Sequence, residues 1–345
     1  MNNDFQGIIA NDELCSYFAT AIKSGSLSHA YILHGARGTG KHTLSYLLAA
    51  AINCENKSES DKSIPCCKCN SCKKILGKIS PDVNLVSRED DRATLGIAPI
   101  RKIREDVTFF PIDGAYKVYI IEDAHTMTTQ AQNALLLTLE EPPSYAIFIL
   151  LCEDTESLLE TIKSRAPILR MKTPSEDQTL AFLKENHPPA RTFINTSLDE
   201  FKQIYKASGG SIGRILELIG STEKKQILQN RSLAEQLMKA IADHSLATRF
   251  SEINSMFAQK REDRDKLISQ LCEIQSAVRD LMVLKKADEP QMIFFTDVEY
   301  AEELSYSFST QKLTQIYESA EKARIALLRN ANVKLTVVNF LSGLI

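Results

Sequence analysis

The first half of the chain switches repeatedly between helical and strand-like spacing of its apolar residues. Leu14 to Ile22 carries apolar positions at helical spacing, and Ala30-Tyr31-Ile32-Leu33 is a short run suited to a buried strand. Thr43 to Ile52, rich in Leu and Ala, predicts a helix, and Asp82-Val83-Asn84-Leu85-Val86 alternates as a strand does. Further along, the pattern predicts a helix over Ile100 to Phe110, a turn over Pro111 to Gly114 and a buried strand over Lys117 to Ile121. Thr129 to Glu140 reads as a helix stopped by Pro142-Pro143, and Ala146 to Leu151 as another strand. Strands alternating with helices imply an α/β fold with a parallel sheet covered on both faces.

Beyond Pro174 the strand signals fade. Glu176 to Glu185 and Leu198 to Ala207 predict short helices, and Ser208-Gly209-Gly210-Ser211 opens a third at Ile212. From about Lys224 onward the spacing is helical throughout. Leu267, Leu271, Ile274, Val278 and Leu281 form one apolar stripe, and Leu313, Ile316, Tyr317, Ala320 and Leu327 another, as expected of helices in a bundle core. The layout is thus an α/β domain over residues 1–170, a small helical domain over 171–222 and an all-α domain over 223–345.

Composition changes this picture little. Over 345 residues the chain is 43% hydrophobic and 25% charged with a formal net charge of −3, so no overall basic field marks a nucleic-acid binder. Met1 to Gly7 shows no secretory signal, and no apolar run approaches the roughly 18 residues that a membrane span requires. Four of the eight cysteines crowd between Cys66 and Cys72, which suits metal ligation in a reducing compartment, and a cytoplasmic location is expected.

Gly35-Ala36-Arg37-Gly38-Thr39-Gly40-Lys41 fits G-x-x-x-x-G-K between a strand and a helix. Glycines there let backbone N–H groups turn inward around phosphate oxygens, Lys41 neutralises charge, and the following helix presents its positive end. The next position breaks the pattern. A Ser or Thr hydroxyl ligates Mg2+ at that point, whereas this chain has His42, and a neutral imidazole is a poor ligand for a hard cation. Thr43 does not replace it, since one helical step turns the side chain by about 100°. The strand ending at Ile121 runs into Glu122-Asp123, the reverse of the order expected for a metal-binding Asp and a water-activating Glu. Misplacement of about 1 Å in such chemistry costs on the order of a hundredfold in rate. ATP or ADP can bind such a loop, but Mg2+ binding and efficient hydrolysis are not expected.

Cys54, Cys66, Cys69 and Cys72 read C-x11-C-x2-C-x2-C, a spacing that lets four thiolates close a tetrahedral Zn2+ site of structural type. Cys67 stands beside them and competes with Cys66 as a ligand; free or redox-active thiols are the other reading. Cys15 and Cys272 fall on apolar helix faces and read as core residues.

His29-Ala30-Tyr31, the string Asn133-Ala134-Leu135-Leu136-Leu137-Thr138-Leu139-Glu140-Glu141-Pro142-Pro143, and Thr161-Ile162-Lys163-Ser164-Arg165 resemble the bacterial DNA polymerase III clamp-loader family. Its members are AAA+ proteins that include the gamma/tau and delta prime subunits. The resemblance is dense from Phe5 to Arg170 and thinner later, where Arg324 to Leu341 looks like the family's final collar helix. It implies an AAA+ domain with a zinc-binding insertion at about 53–74, then a lid domain and a collar domain. Two further departures bear on the subunit type. Cys152 stands where hydrolysing members carry a polar sensor, and Gly213 where they carry an Arg, with Arg214 one step on. Together with His42 and the reversed acids they point to the delta prime type.

In the family a Ser-Arg-Cys motif sends an arginine into the ATP site of a neighbouring subunit. The resemblance implies that role for Arg165, although the motif here reads Ser164-Arg165-Ala166. The implied function is to help load the sliding clamp onto primed DNA, as scaffold and arginine donor with little hydrolysis of its own. Implied partners are gamma/tau and delta type subunits in a hetero-oligomeric ring, the sliding clamp, and primed DNA through the complex, with no membrane. The alternative is an ATP-hydrolysing gamma/tau-type motor. A zinc-dependent single-strand binder is disfavoured, because the chain has no basic tract or aromatic-rich groove to track a backbone.

Overall fold

The computed structural model describes residues 5–56, 63–88, 94–221, 223–243, 264–287 and 290–344. Parts of the cysteine-bearing insertion and of the C-terminal helical pattern, residues 57–62 and 244–263, lie outside them. The chain forms two compact units, Met1–Phe182 and Leu183–Ile345. Among the described residues no helix is long and apolar enough to cross a membrane.

The first unit is built on a sheet of five parallel strands in the order β2-β3-β4-β1-β5. These are β1 (Ala30–His34), β2 (Val83–Val86), β3 (Lys117–Ile121), β4 (Ala146–Cys152) and β5 (Ile168–Arg170). Its central strands are continuous apolar runs because both faces are covered. On β3, Val118 and Ile120 join one core with Phe18 of α1 (Asp12–Ser24) and Leu44 and Leu48 of α2 (Lys41–Ile52). Tyr119 and Ile121 turn the other way, to Ile100 and Ile103 of α4 (Ile97–Asp106) and Leu135 of α5 (Thr129–Glu140). Period-two alternation thus serves two cores at once. The helix α3 (Asn70–Leu76) carries Cys72, and α6 (Glu160–Lys163) precedes β5.

Helix ends follow local chemistry. Helix α1 closes on Gly25 at φ 67°, a left-handed conformation that costs glycine nothing. Helix α5 opens with the Thr128 side chain accepting from the Ala131 N–H. Asp82, 1% exposed at the foot of β2, accepts backbone N–H groups from Ile112, Asp113 and Gly114, each at 2.7 Å. It thereby fixes the turn that feeds β3.

The second unit is all-α. Its helices include α7's C-terminal end (α7, Glu176–Asn186), α8 (Pro188–Thr196), α9 (Leu198–Ala207), α10 (Ile212–Ile219) and α11 (Glu223–Ala242). The helices Arg264–Leu284, Val298–Tyr306, Thr310–Leu328 and Val333–Ser342 complete it. Leu267, Leu271, Ile274, Val278 and Leu281 are all buried, as their stripe predicts. Arg231 is buried too: its guanidinium meets Glu273 at 3.1 Å and lies over the Phe294 ring. Asp280, fully buried, accepts from the N–H groups of Ile293, Phe294 and Phe295.

Several expectations need correction. Helix α4 begins at Ile97 and ends at Asp106, leaving Phe109 and Phe110 exposed beyond it. Tyr317 is 41% exposed, because it follows Ile316 by one helical step and leaves the seam made by Leu313, Ile316, Ala320 and Leu327. Cys272 is exposed for the same reason, one step beyond buried Leu271. The elements β5, α3, α6 and α8 carry too short a pattern to register at strand or helix period.

Replacing Asp82 by Ala strips three part-buried N–H groups of their charged acceptor. The Asp82→Ala chain is expected to lose about 3 kcal/mol of stability, measured by denaturant titration of the first unit's transition.

Candidate functional site

The phosphate loop starts where β1 ends. The Gly35 N–H donates to the Cys152 carbonyl at the end of β4, and the Met171 N–H to the His34 carbonyl, so the loop is anchored on both flanks of β1. Gly38 and Gly40 take φ of 78° and 90°, a region that glycine enters without the Cβ clash. Gly40 caps α2, whose first residue is Lys41. Lys41 is 9% exposed, and its ammonium donates to the carbonyls of Gly35 at 2.6 Å and Ala36 at 2.9 Å. Burial pushes its pKa down, while the charges of Glu153 and Asp123 work in the opposite direction. The Thr39 hydroxyl closes the loop from within by donating to the Ala36 carbonyl.

His42 and Glu122 come together. The imidazole Nε2 lies 2.9 Å from the Glu122 carboxylate, joining the first turn of α2 to the end of β3. Asp123 takes φ 48°, which Asp tolerates, and its carboxylate lies 3.4 Å from the Arg88 guanidinium. All of the predicted loop residues, Gly35, Gly38, Thr39, Gly40, Lys41 and His42, therefore share one sheet edge with Glu122 and Asp123. Cys152 ends β4 at the same edge; its thiol is buried, points to the Leu33 carbonyl, and burial raises its pKa to about 12. His34, which the sequence reading does not single out, sits at this edge as well. Burial lowers its pKa, and the charges of Arg170 and Lys41 lower it further.

Arg165 stands elsewhere. It precedes β5, and since β5 runs parallel to β1 it lies towards the edge where the strands begin, away from the loop where β1 ends. Its guanidinium pairs with Glu140 at 2.9 Å and donates to the Thr161 carbonyl at 3.0 Å. Upstream, the Gln132 amide donates to the carbonyls of Met127 and Ser157 and accepts from the Leu159 N–H at 2.8 Å. That buried amide holds the segment leading into α6 and so to Arg165. Neither Glu140 nor Gln132 stood out as a site residue, although both lie in or beside the string ending at Pro143.

The cysteines resolve cleanly. The sulfurs of Cys54, Cys66, Cys69 and Cys72 all lie within 4.8 Å of one another, with Cys66 and Cys72 at 4.0 Å. Four thiolates around a single Zn2+ at about 2.3 Å would sit about 3.8 Å apart, so the group can hold a metal ion with little movement. The N–H groups of Cys69 and Cys72 donate to the sulfurs of Cys66 and Cys69, each at 3.4 Å, the turn geometry that x2 spacing supplies. Burial pushes the Cys66 thiol up, but the N–H groups of Lys68 and Cys69 outweigh it and bring the pKa to about 6. Burial raises the thiols of Cys54 and Cys72. Cys67 lies outside the group: it is exposed, has φ 54°, and its thiol points to the Pro65 carbonyl.

A parallel sheet in this order, with a phosphate loop after β1 and acids after β3, defines the first unit as a P-loop domain of AAA+ type. Residues 10–175 match the family described as "DNA polymerase III, delta subunit". DNA polymerase III subunit gamma of Buchnera aphidicola subsp. Acyrthosiphon pisum (strain APS) is 33% identical over 215 residues, covering 62% of this chain and 57% of that protein. Subunit tau of Bacillus subtilis (strain 168) is 38% identical over 162 residues, 47% of this chain and 28% of that protein. A solved gamma subunit-related protein of Thermotoga maritima aligns at 20% identity with a TM-score of 0.44, over 94% of this chain and 97% of that chain. The chain thus spans little more than half of the gamma relative and about a quarter of the tau relative. Over these residues its first unit is similar to subunits of DNA polymerase III.

A Cβ on Gly35 would meet the Met171 carbonyl oxygen at 2.8 Å, a backbone atom that cannot swing aside. Gly35→Ala is therefore expected to part the loop from the segment that follows β5 and to cost about 1–3 kcal/mol, read as a lower thermal midpoint.

Proposed function

We propose that this chain is a delta prime type clamp-loader subunit, a scaffold and arginine donor that hydrolyses little or no ATP itself. It would help to load the sliding clamp onto primed DNA within a cytoplasmic hetero-oligomeric ring of gamma/tau and delta type subunits. The observation that carries this reading is the contact between His42 and Glu122. Where a hydrolytic site needs a hydroxyl and a carboxylate free to hold Mg2+, this chain has an imidazole bonded to the carboxylate. Cys152, a buried thiol in the sensor position, supports it. Arg165 supports the trans role, because it lies towards the sheet edge opposite its own loop and its guanidinium is suited to a phosphate on another chain.

Residues 171–222 and 223–345 are proposed as the lid and the collar. The group Cys54, Cys66, Cys69 and Cys72 is proposed as a structural zinc site, closed by four protein ligands and so without a position for substrate. A gamma/tau-type motor is the second reading, favoured by the names of the relatives that match this chain.

Two measurements test this section. In a loader reconstituted with gamma/tau and delta type subunits, clamp and primed DNA, Arg165→Ala should leave assembly intact and slow ATP turnover at least about tenfold. Lys41→Ala should change that turnover less than about twofold; a collapse to background would establish the motor reading instead. Separately, the purified chain should carry about one zinc ion by elemental analysis, retained in Cys67→Ser and lost in Cys69→Ser. Equal zinc loss in both variants would remove the assigned ligand set.

A further inference from the structure

We infer that the phosphate loop is a metal-independent site for a nucleoside triphosphate, in which the His42–Glu122 hydrogen bond takes the place of the magnesium bridge. This inference rests on the reading of the chain as a non-hydrolysing subunit, and extends it to what the loop does hold.

In a metal-dependent P-loop, the hydroxyl after the loop lysine and a carboxylate at the end of a neighbouring strand hold Mg2+, and the ion bridges the β- and γ-phosphates. Two neighbouring ligands of an octahedral Mg2+ lie about 3.0 Å apart, given metal–oxygen distances near 2.1 Å. His42 and Glu122 occupy those two places, on α2 and after β3, and their atoms lie 2.9 Å apart. A hydrogen bond between them therefore joins directly the two elements that a metal would join. The two structural elements stay linked with the metal left out.

The remaining parts of the cradle do not need a metal. Gly38 and Gly40 keep the positive φ that turns backbone N–H groups towards an anion, and α2 begins at Lys41 with its N-terminal end at the loop. Lys41 already contacts carbonyl oxygens of Gly35 and Ala36, so an incoming phosphate exchanges neutral acceptors for charged ones. The Glu122 carboxylate is itself engaged, through its contact with His42. The ligand class is thus a nucleoside triphosphate bound without Mg2+ and left unhydrolysed.

The test is isothermal titration of the full chain with AMP-PNP, once with MgCl2 and once with EDTA. The wild-type chain should bind with affinities that agree within about twofold, since the hydroxyl that would hold the metal is absent and Glu122 is engaged by His42. His42→Ser restores the hydroxyl and frees Glu122, so its binding should weaken about tenfold in EDTA and recover with Mg2+. Wild-type binding that falls tenfold or more in EDTA overturns the inference, as does His42→Ser binding that ignores the metal. Absence of AMP-PNP binding in both buffers also overturns it, while leaving the role of Arg165 in the reconstituted loader, measured separately, untouched.

Discussion

Because the five strands run parallel, every strand end that opens towards a following helix lies on one edge of the sheet, and every strand start lies on the other. Most of what the first unit can do follows from that constraint. β1 delivers the phosphate loop, β3 delivers Glu122-Asp123 and β4 delivers Cys152 to the same edge. The order of the strands matters as well. The chain leaves β1 for the far edge at β2 and returns to its other side only at β5, which opens a crevice at the end of β1, the usual place for a ligand in such sheets. Arg165 belongs to a strand start, and the same geometry keeps it from its own loop.

Within that edge, the chemistry turns on single side chains. The backbone cradle needs only glycine at the positive-φ positions and a lysine, and both are present. The catalytic part needs a hydroxyl and two acids in set positions, and there His42, Glu122-Asp123 and Cys152 differ together. Their coincidence on one edge is what the proposed separation of binding from turnover rests on. The fold is indifferent to these changes. Sheet and cores are built from Val118, Ile120, Tyr119, Phe148 and their neighbours, none of which meets the phosphate.

The parts of the fold that were legible in the sequence are those with a strong local signal. β3 could be read because Lys117-Val118-Tyr119-Ile120-Ile121 is wholly buried, and the run therefore stands out against its neighbours. β5 could not, since it has three residues and two of them face outward; its place comes from pairing with β1, which no local pattern encodes. The loop was legible because glycine spacing dictates its backbone. The meeting of His42 with Glu122 was not, because the two lie eighty residues apart in sequence and only the β1–β4–β3 arrangement brings them together. Cys66 and Cys67 could not be separated by spacing alone. Backbone direction decides between them: at φ 54° Cys67 turns its thiol away to the Pro65 carbonyl, and Cys66 joins the group.

The pair between Arg165 and Glu140 looks at first like an obstacle to action on a neighbour. Its energetics say otherwise. Arg165 is 34% exposed and Glu140 47%, so water screens the pair, and such surface contacts contribute only about 0–1 kcal/mol. A guanidinium placed against a triphosphate in a closed subunit interface gains more than this, through shorter and charge-assisted bonds in a drier setting. In the proposed role, the equilibrium between the two positions would be set by whether a neighbour presents a phosphate, with Glu140 ordering the arginine until one does. Gln132 makes that arrangement workable: it fixes the 157–159 backbone, so the search left to Arg165 is confined to its own rotamers and does not involve the loop that carries it.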